Sequence, residues 1–149
     1  TQQDIDRALS YTGDTFDSDW DQSEAALEGA YSVTWQNIVQ GAVAYLEARI
    51  KPCGYEEPDL NRDFSDANWS AIFANYESYE SIAECKLNSG IRLYQFKTYN
   101  LGFEYKINYW VQSDTDNRII VTMIVFPAES QSLLDDYSIR LFPNLPNCS

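Results

Sequence analysis

Apolar side chains recur every three or four residues between Gln22 and Ile50, at Leu27, Tyr31, Trp35, Ile38, Ala42, Leu46 and Ile50. On a helix this spacing stacks them along one side, so a long helix is predicted here. Asp21, with Glu24 three positions on, suits the start as a capping pair. Pro52 and Gly54 supply the stop. Such a helix runs about 43 Å at its normal rise, and Gly29 and Gly41 mark a bend or a close approach within it.

Two shorter helices flank this one. Ile5 and Leu9 place the first over Gln2 to Tyr11, closed by Gly13, with the acidic connector Asp14 to Asp21 after it. The second runs from about Ser65 to Tyr79, with Trp69, Ile72, Phe73 and Tyr76 on one face and Ser65 or Asp63 as its cap.

Beyond residue 80 the period shortens to two. Gly90 to Tyr99 and Phe103 to Gln112 read as strands turned at Asn100-Leu101-Gly102. In the second, Phe103, Tyr105, Ile107, Tyr109 and Val111 share a face. Glu104, Lys106, Asn108 and Gln112 share the other, with Trp110 as the exception, which predicts one wet face. Arg118 to Phe126 is apolar on both faces apart from Thr122, as in a central strand. A last short strand is expected near Tyr137 to Phe142 and an edge strand over Glu84 to Leu87. The expected fold is a single α+β domain over residues 1–149. One long and one or two shorter helices pack on a three- to five-stranded antiparallel sheet, helical over about 1–80 and sheet over about 84–142.

Charge narrows the partners. Ten basic residues against 23 acidic ones give a formal charge of -13, and the basic residues form no cluster. That balance disfavours nucleic acid, whose binding is built from Lys and Arg patches, and anionic membrane surfaces. No apolar run reaches the roughly 18 residues of a membrane helix, so no membrane insertion is expected. The opening at Thr1 fits a numbering that starts after a cleaved leader or a removed tag.

Of three cysteines, Cys53, Cys85 and Cys148, the first and last sit near predicted boundaries as disulfide staples do. Cys53–Cys85 is the expected pair, with Cys148 as an alternative mate, and the chain is read as secreted or periplasmic. Asn68-Trp69-Ser70 and Asn147-Cys148-Ser149 are acceptor triplets for glycosylation, a short and common pattern.

The chain has no histidine. Imidazole-dependent hydrolysis and histidine-ligated zinc or haem are therefore excluded. Neither CxxC spacing nor a glycine-rich phosphate cradle occurs. A carboxylate-based hydrolase is the one enzymatic class left open.

Asp17, Asp19 and Asp21, with Glu28 eleven positions after Asp17, have the offsets of a calcium loop. Gln22 replaces the turn glycine, however, and acids also gather ahead of helices for the dipole alone. Calcium is the single cofactor considered; otherwise none is expected. The aromatics Tyr94, Phe96 and Trp110 on the strands, and Tyr76 and Tyr79 after the second helix, form the candidate recognition surface for a protein or carbohydrate. The reading is a non-enzymatic binding protein, with a structural subunit of a larger assembly, a calcium-binding domain and a carboxylate hydrolase as alternatives.

Overall fold

A computed structural model describes residues 18–86, 90–114 and 117–141. The expected helix over Gln2 to Tyr11, the tail with Cys148, and Asp17 lie outside them. Seven strands form one antiparallel sheet: β1 (Asp21–Leu27), β2 (Ala30–Asn37), β3 (Ala42–Ile50), β4 (Ser78–Lys86), β5 (Arg92–Asn100), β6 (Phe103–Asp114) and β7 (Arg118–Pro127). Their order across the sheet is β1-β2-β3-β7-β6-β5-β4, so β3 and β7 join two meanders at the centre. Between β3 and β4 come two seven-residue helices, α1 (Glu57–Asp63) and α2 (Asp66–Ile72). After β7 a short 3₁₀ turn leads into α3 (Gln131–Leu141).

The long helix predicted over Gln22 to Ile50 is instead three strands, β1 to β3. The reason lies in the spacing itself. A step of four residues is about one helical turn, but it is also two pleats of a strand, so both geometries keep Tyr31 with Trp35 and Ala42 with Leu46. The residues between decide. Val33 is buried between Tyr31 and Trp35, and Ala44 and Ala48 extend the same face of β3, a period of two. Gly29 and Gly41 adopt φ of 72° and 65° at the two turns, so they reverse the chain where a helix was expected to bend.

The other boundaries shift for related reasons. The helix expected over Ser65 to Tyr79 is α2 alone; the chain enters β4 at Ser78, and the short edge strand becomes nine residues long. Ser65 occupies the N-cap position, yet its hydroxyl donates to the Arg62 carbonyl rather than accepting a helix amide. Of the strand expected near Tyr137 to Phe142, the described part falls in α3, where Leu134 and Tyr137 turn toward the sheet. The sheet thus has seven strands rather than three to five, and it begins before the division expected near residue 80.

Both faces are covered, which corrects the expectation of a wet one. Under α3, Val33, Trp35, Leu46, Leu93, Trp110, Ile120, Ile124 and Phe126 form one core. Asn108 is buried there and donates to the Ser138 hydroxyl at 3.1 Å, tying α3 to β6. Phe126 stacks on Tyr137 with ring centres 5.5 Å apart. The opposite face carries the second core, where α1 and α2 lie over β5 and β6 with Leu60, Phe64, Trp69 and Phe73 against Tyr94, Phe96, Ile107 and Tyr109. Trp69 is its hub, within 4.8 Å of the Tyr94 and Phe96 ring centres and 5.3 Å of Tyr109. Glu57 of α1 accepts from Arg92 of β5 at 3.4 Å and also from Lys86 of β4, anchoring the helix pair to the sheet.

The sheet ends in two edges that carry charge. On β1 stand Asp21 and Glu24; on β4 stand Glu80, Glu84 and Lys86, with a register shift between Ser81 and Ala83. Charge and a bulge are the usual protection of a free edge against pairing with another chain.

Candidate binding groove

Two hairpin tips meet at one end of the sheet, beside the exit of β7. The first is Ile38-Val39-Gln40-Gly41, between β2 and β3. Its shape is fixed by the Asn37 side-chain oxygen, which accepts from the Gln40 amide at 3.0 Å, and by the Gly41 amide, which donates to the Ile38 carbonyl at 3.3 Å. A Cβ on Gly41 would stand 3.5 Å from the Pro127 ring, so this tip is packed against the end of β7. The second tip is Leu101-Gly102, a two-residue turn closed by the Asn100–Phe103 pair. Both of its residues have positive φ, 52° and 81°, as in the hairpin turn that follows the natural twist of the strands. The Leu101 amide donates to the Glu77 carboxylate at 2.8 Å.

Ordered by their own hydrogen bonds, these tips hold large apolar side chains in water. Ile38 is 80 % exposed, Val39 86 %, Leu101 80 % and Phe103 67 %. Between the tips lies an open groove of about 530 Å³, bordered by Ile38, Val39, Phe103, Tyr105, Pro127 and Glu129. Gly41 and Tyr105 also border a smaller recess of about 230 Å³ on the face that carries α1 and α2. Val43, Met123 and Val125 give that recess apolar walls, Tyr76 and Tyr105 give it aromatic ones, and Asn100 supplies a side-chain amide. The two hollows are adjacent and share a boundary.

Electrostatically the groove is one-sided, since Glu104 and Glu129 are its charged borders. Glu104 accepts from the Tyr99 hydroxyl at 2.8 Å and pairs with Lys97 at 3.2 Å. The hydroxyl and the ammonium together hold its pKa below the ordinary value, while Tyr99 first and Glu104 second raise that of Lys97. Glu129 is exposed and has no partner among the described residues.

The recognition surface expected from sequence is placed differently. Tyr94, Phe96 and Trp110 are buried, the first two beneath α2 and the third beneath α3, so none of them offers a surface. Sequence reasoning placed Trp110 opposite Tyr109 correctly, but that face proved to be a second core. Tyr76 and Tyr79 are half-buried and pack on Phe73 at 5.8 and 5.4 Å; Tyr76 also borders the smaller recess. The residues that sequence reasoning missed are Ile38, Val39, Leu101 and Phe103. A signal was available, because Leu101 precedes glycine in a short turn where Asn is the favoured residue.

Of the residues with calcium-loop offsets, Asp19, Asp21 and Glu28 are not brought together, and Asp17 lies outside the described residues. Asp21 and Glu28 stand at opposite ends of β1, roughly 23 Å apart at strand spacing, because the expected exiting helix is a strand. Asp19 lies in the turn before it, and among the described residues no three acidic or cysteine side chains converge on a metal position. The expected Cys53–Cys85 bridge is also absent. Cys53 is exposed with a free thiol in the turn after β3, while Cys85 faces the α3-side core from β4. Among the described residues no helix is long and apolar enough to cross a membrane.

Beside α1, on the face that carries α1 and α2, lies a polar strip. Tyr45 donates to Glu47 at 2.6 Å, Arg49 donates to the other oxygen of Glu47 at 2.8 Å, and Tyr55 donates to Asp63 at 2.7 Å. Burial first, and the adjoining carboxylate second, push the Tyr45 and Tyr55 phenols well above their ordinary pKa. Burial does the same to Tyr109. These carboxylates act as acceptors that order the tyrosines.

With this geometry the class is set by architecture: a seven-stranded antiparallel sheet with helices on both faces and an apolar groove at one end. No family model matches the chain, and no curated protein sequence matches it.

Proposed function

We propose that this chain is a non-enzymatic binding protein that recognises another protein through the groove between its two hairpin tips. The observation that carries the reading is Leu101. A leucine in the left-handed region is disfavoured by about 1–2 kcal/mol, and its side chain is 80 % in water, so folding gains nothing from its identity. Beside that tip, Ile38, Val39 and Phe103 border the groove, on tips already fixed by hydrogen bonds. A rigid contact surface has less ordering entropy to lose on binding.

Aliphatic tips favour a protein over a carbohydrate. Sugars are held by flat aromatic platforms and paired polar groups, whereas isoleucine, valine and leucine offer only a dry contact that another apolar side chain can fill. Placement outside the cytoplasm remains part of the reading, with Cys148 as the mate for Cys85 once Cys53 is free. Alkylation of unreduced protein at all three cysteines would remove that placement.

The same exposed apolar end supports a second reading, a subunit held permanently in an assembly. A displayed random-peptide library, panned on the protein and on a Val39→Ser/Phe103→Ser double variant, tests the first. A sequence family enriched on the protein and at least tenfold weaker on the variant is expected, since two central apolar contacts contribute more than about 1 kcal/mol each. Equal enrichment on both proteins, or none, would leave the assembly reading in its place.

A further inference from the structure

Resting on that reading, we infer that the groove takes a polypeptide segment in which one large apolar side chain is flanked by lysine or arginine. The recess supplies the first half of this specificity. It is about 230 Å³, walled by Val43, Met123, Val125, Tyr76 and Tyr105, and has the capacity for one large apolar side chain. The Asn100 amide at its border provides a donor and an acceptor for the main chain on either side of that anchor.

Charge supplies the second half. The charged side chains bordering the larger groove are both carboxylates, Glu104 and Glu129, and Glu77 lies just behind the Leu101 tip. Lys97 is directed at Glu104, 3.2 Å away. Glu129 keeps its whole charge for an incoming cation, having no partner among the described residues. At a net charge of -13 the rest of the molecule repels acidic segments and a second copy of itself, and draws basic segments toward the groove.

The partner is therefore a cationic segment with an apolar anchor, rather than an acidic peptide or a like-charged copy. An apolar end of this kind also suits insertion among lipid tails. The acidic border opposes that at an anionic bilayer, and the recess, with its amide, is shaped for one side chain rather than for a flat surface.

The test uses the whole protein and four twelve-residue synthetic peptides, read by fluorescence anisotropy. One has a central leucine between lysines, one the same leucine between glutamates, one the leucine between serines, and one a central serine between lysines. The lysine–leucine peptide is expected to bind at least tenfold more tightly than the other three. Its affinity should fall as salt rises, and fall about threefold with Glu129→Gln, the scale of one partly screened charge pair. Equal binding of the serine-flanked and lysine-flanked leucine peptides, insensitive to salt, overturns the cationic requirement but leaves the groove as a protein site. Binding of the lysine–leucine peptide that Val39→Ser/Phe103→Ser leaves unchanged overturns both this inference and the groove reading. Co-sedimentation with phosphatidylcholine vesicles, abolished by the same double variant while no peptide binds, replaces the protein partner with a lipid surface.

Discussion

Leu101 holds φ at 52°, a basin in which the Cβ of an L-residue crowds the following carbonyl. Asn tolerates that basin because its short polar side chain bonds locally, and it is the favoured companion of glycine in such a turn. Replacing Leu101 with Asn is expected to stabilise the fold by about 0.5–1 kcal/mol in urea denaturation, while weakening capture of the groove's peptide. A variant of lower stability would mean that Leu101 makes a contact the fold requires. At this scale the sequence was partly legible. The turn at Asn100-Leu101-Gly102 could be placed from its residues, but the presence of Ile38-Val39 at the same end of the molecule could not, because the two tips are far apart in the chain and β3 and β6, which they adjoin, are brought together only by β7 between them.

At the scale of elements, α2 illustrates how little a short helix contributes alone. Seven residues fall well below the length at which an isolated helix is stable, so α2 exists because Trp69 is inserted among five rings of Phe64, Phe73, Tyr94, Phe96 and Tyr109. Trp69→Ala is expected to cost about 3–5 kcal/mol, with loss of near-ultraviolet circular dichroism and retention of most strand signal. A loss below about 1 kcal/mol would show that the neighbouring rings close over the gap. The same dependence on context explains the largest misreading. Trp35 and Tyr31 sit four apart, a separation that helix and strand both place on one face, and tertiary burial of Val33 between them selects the strand. By contrast β5, β6 and β7 were legible, β5 and β6 from a period of two on either side of a recognisable turn, broken in β6 at Trp110, and β7 from an apolar run interrupted only at Thr122.

Across the whole molecule, tyrosine burial links packing to pH. Burial, with Glu24 as a second cause, raises the Tyr31 phenol from 10.0 to about 12. Burial likewise raises Tyr45, Tyr55 and Tyr109. A folded-state pKa above the unfolded value means that the folded chain keeps its phenol protons while the unfolded chain releases them. This contribution to stability is complete below pH 10 and declines as pH rises through 10 toward 12. The urea midpoint is therefore expected to drop between about pH 9 and about pH 11, with Tyr31→Phe dropping less steeply. A midpoint that holds across this interval would show that the phenols ionise without leaving the folded state.

The sequence alone determined what depends on composition and on local period: the strong net acidity, the absence of any imidazole from this chain, and the late antiparallel strands. Tertiary structure decided what depends on which surfaces meet. It covered the face expected to be wet, enclosed Tyr94, Phe96 and Trp110, split one apparent helix into three strands, and gathered Ile38, Val39 and Phe103 around a groove with Leu101 on the turn beside it. The physical reason is that an apolar residue carries the same hydrophobicity whether it becomes core or contact surface. Only the presence or absence of a covering layer distinguishes the two, and that layer comes from residues distant in the chain.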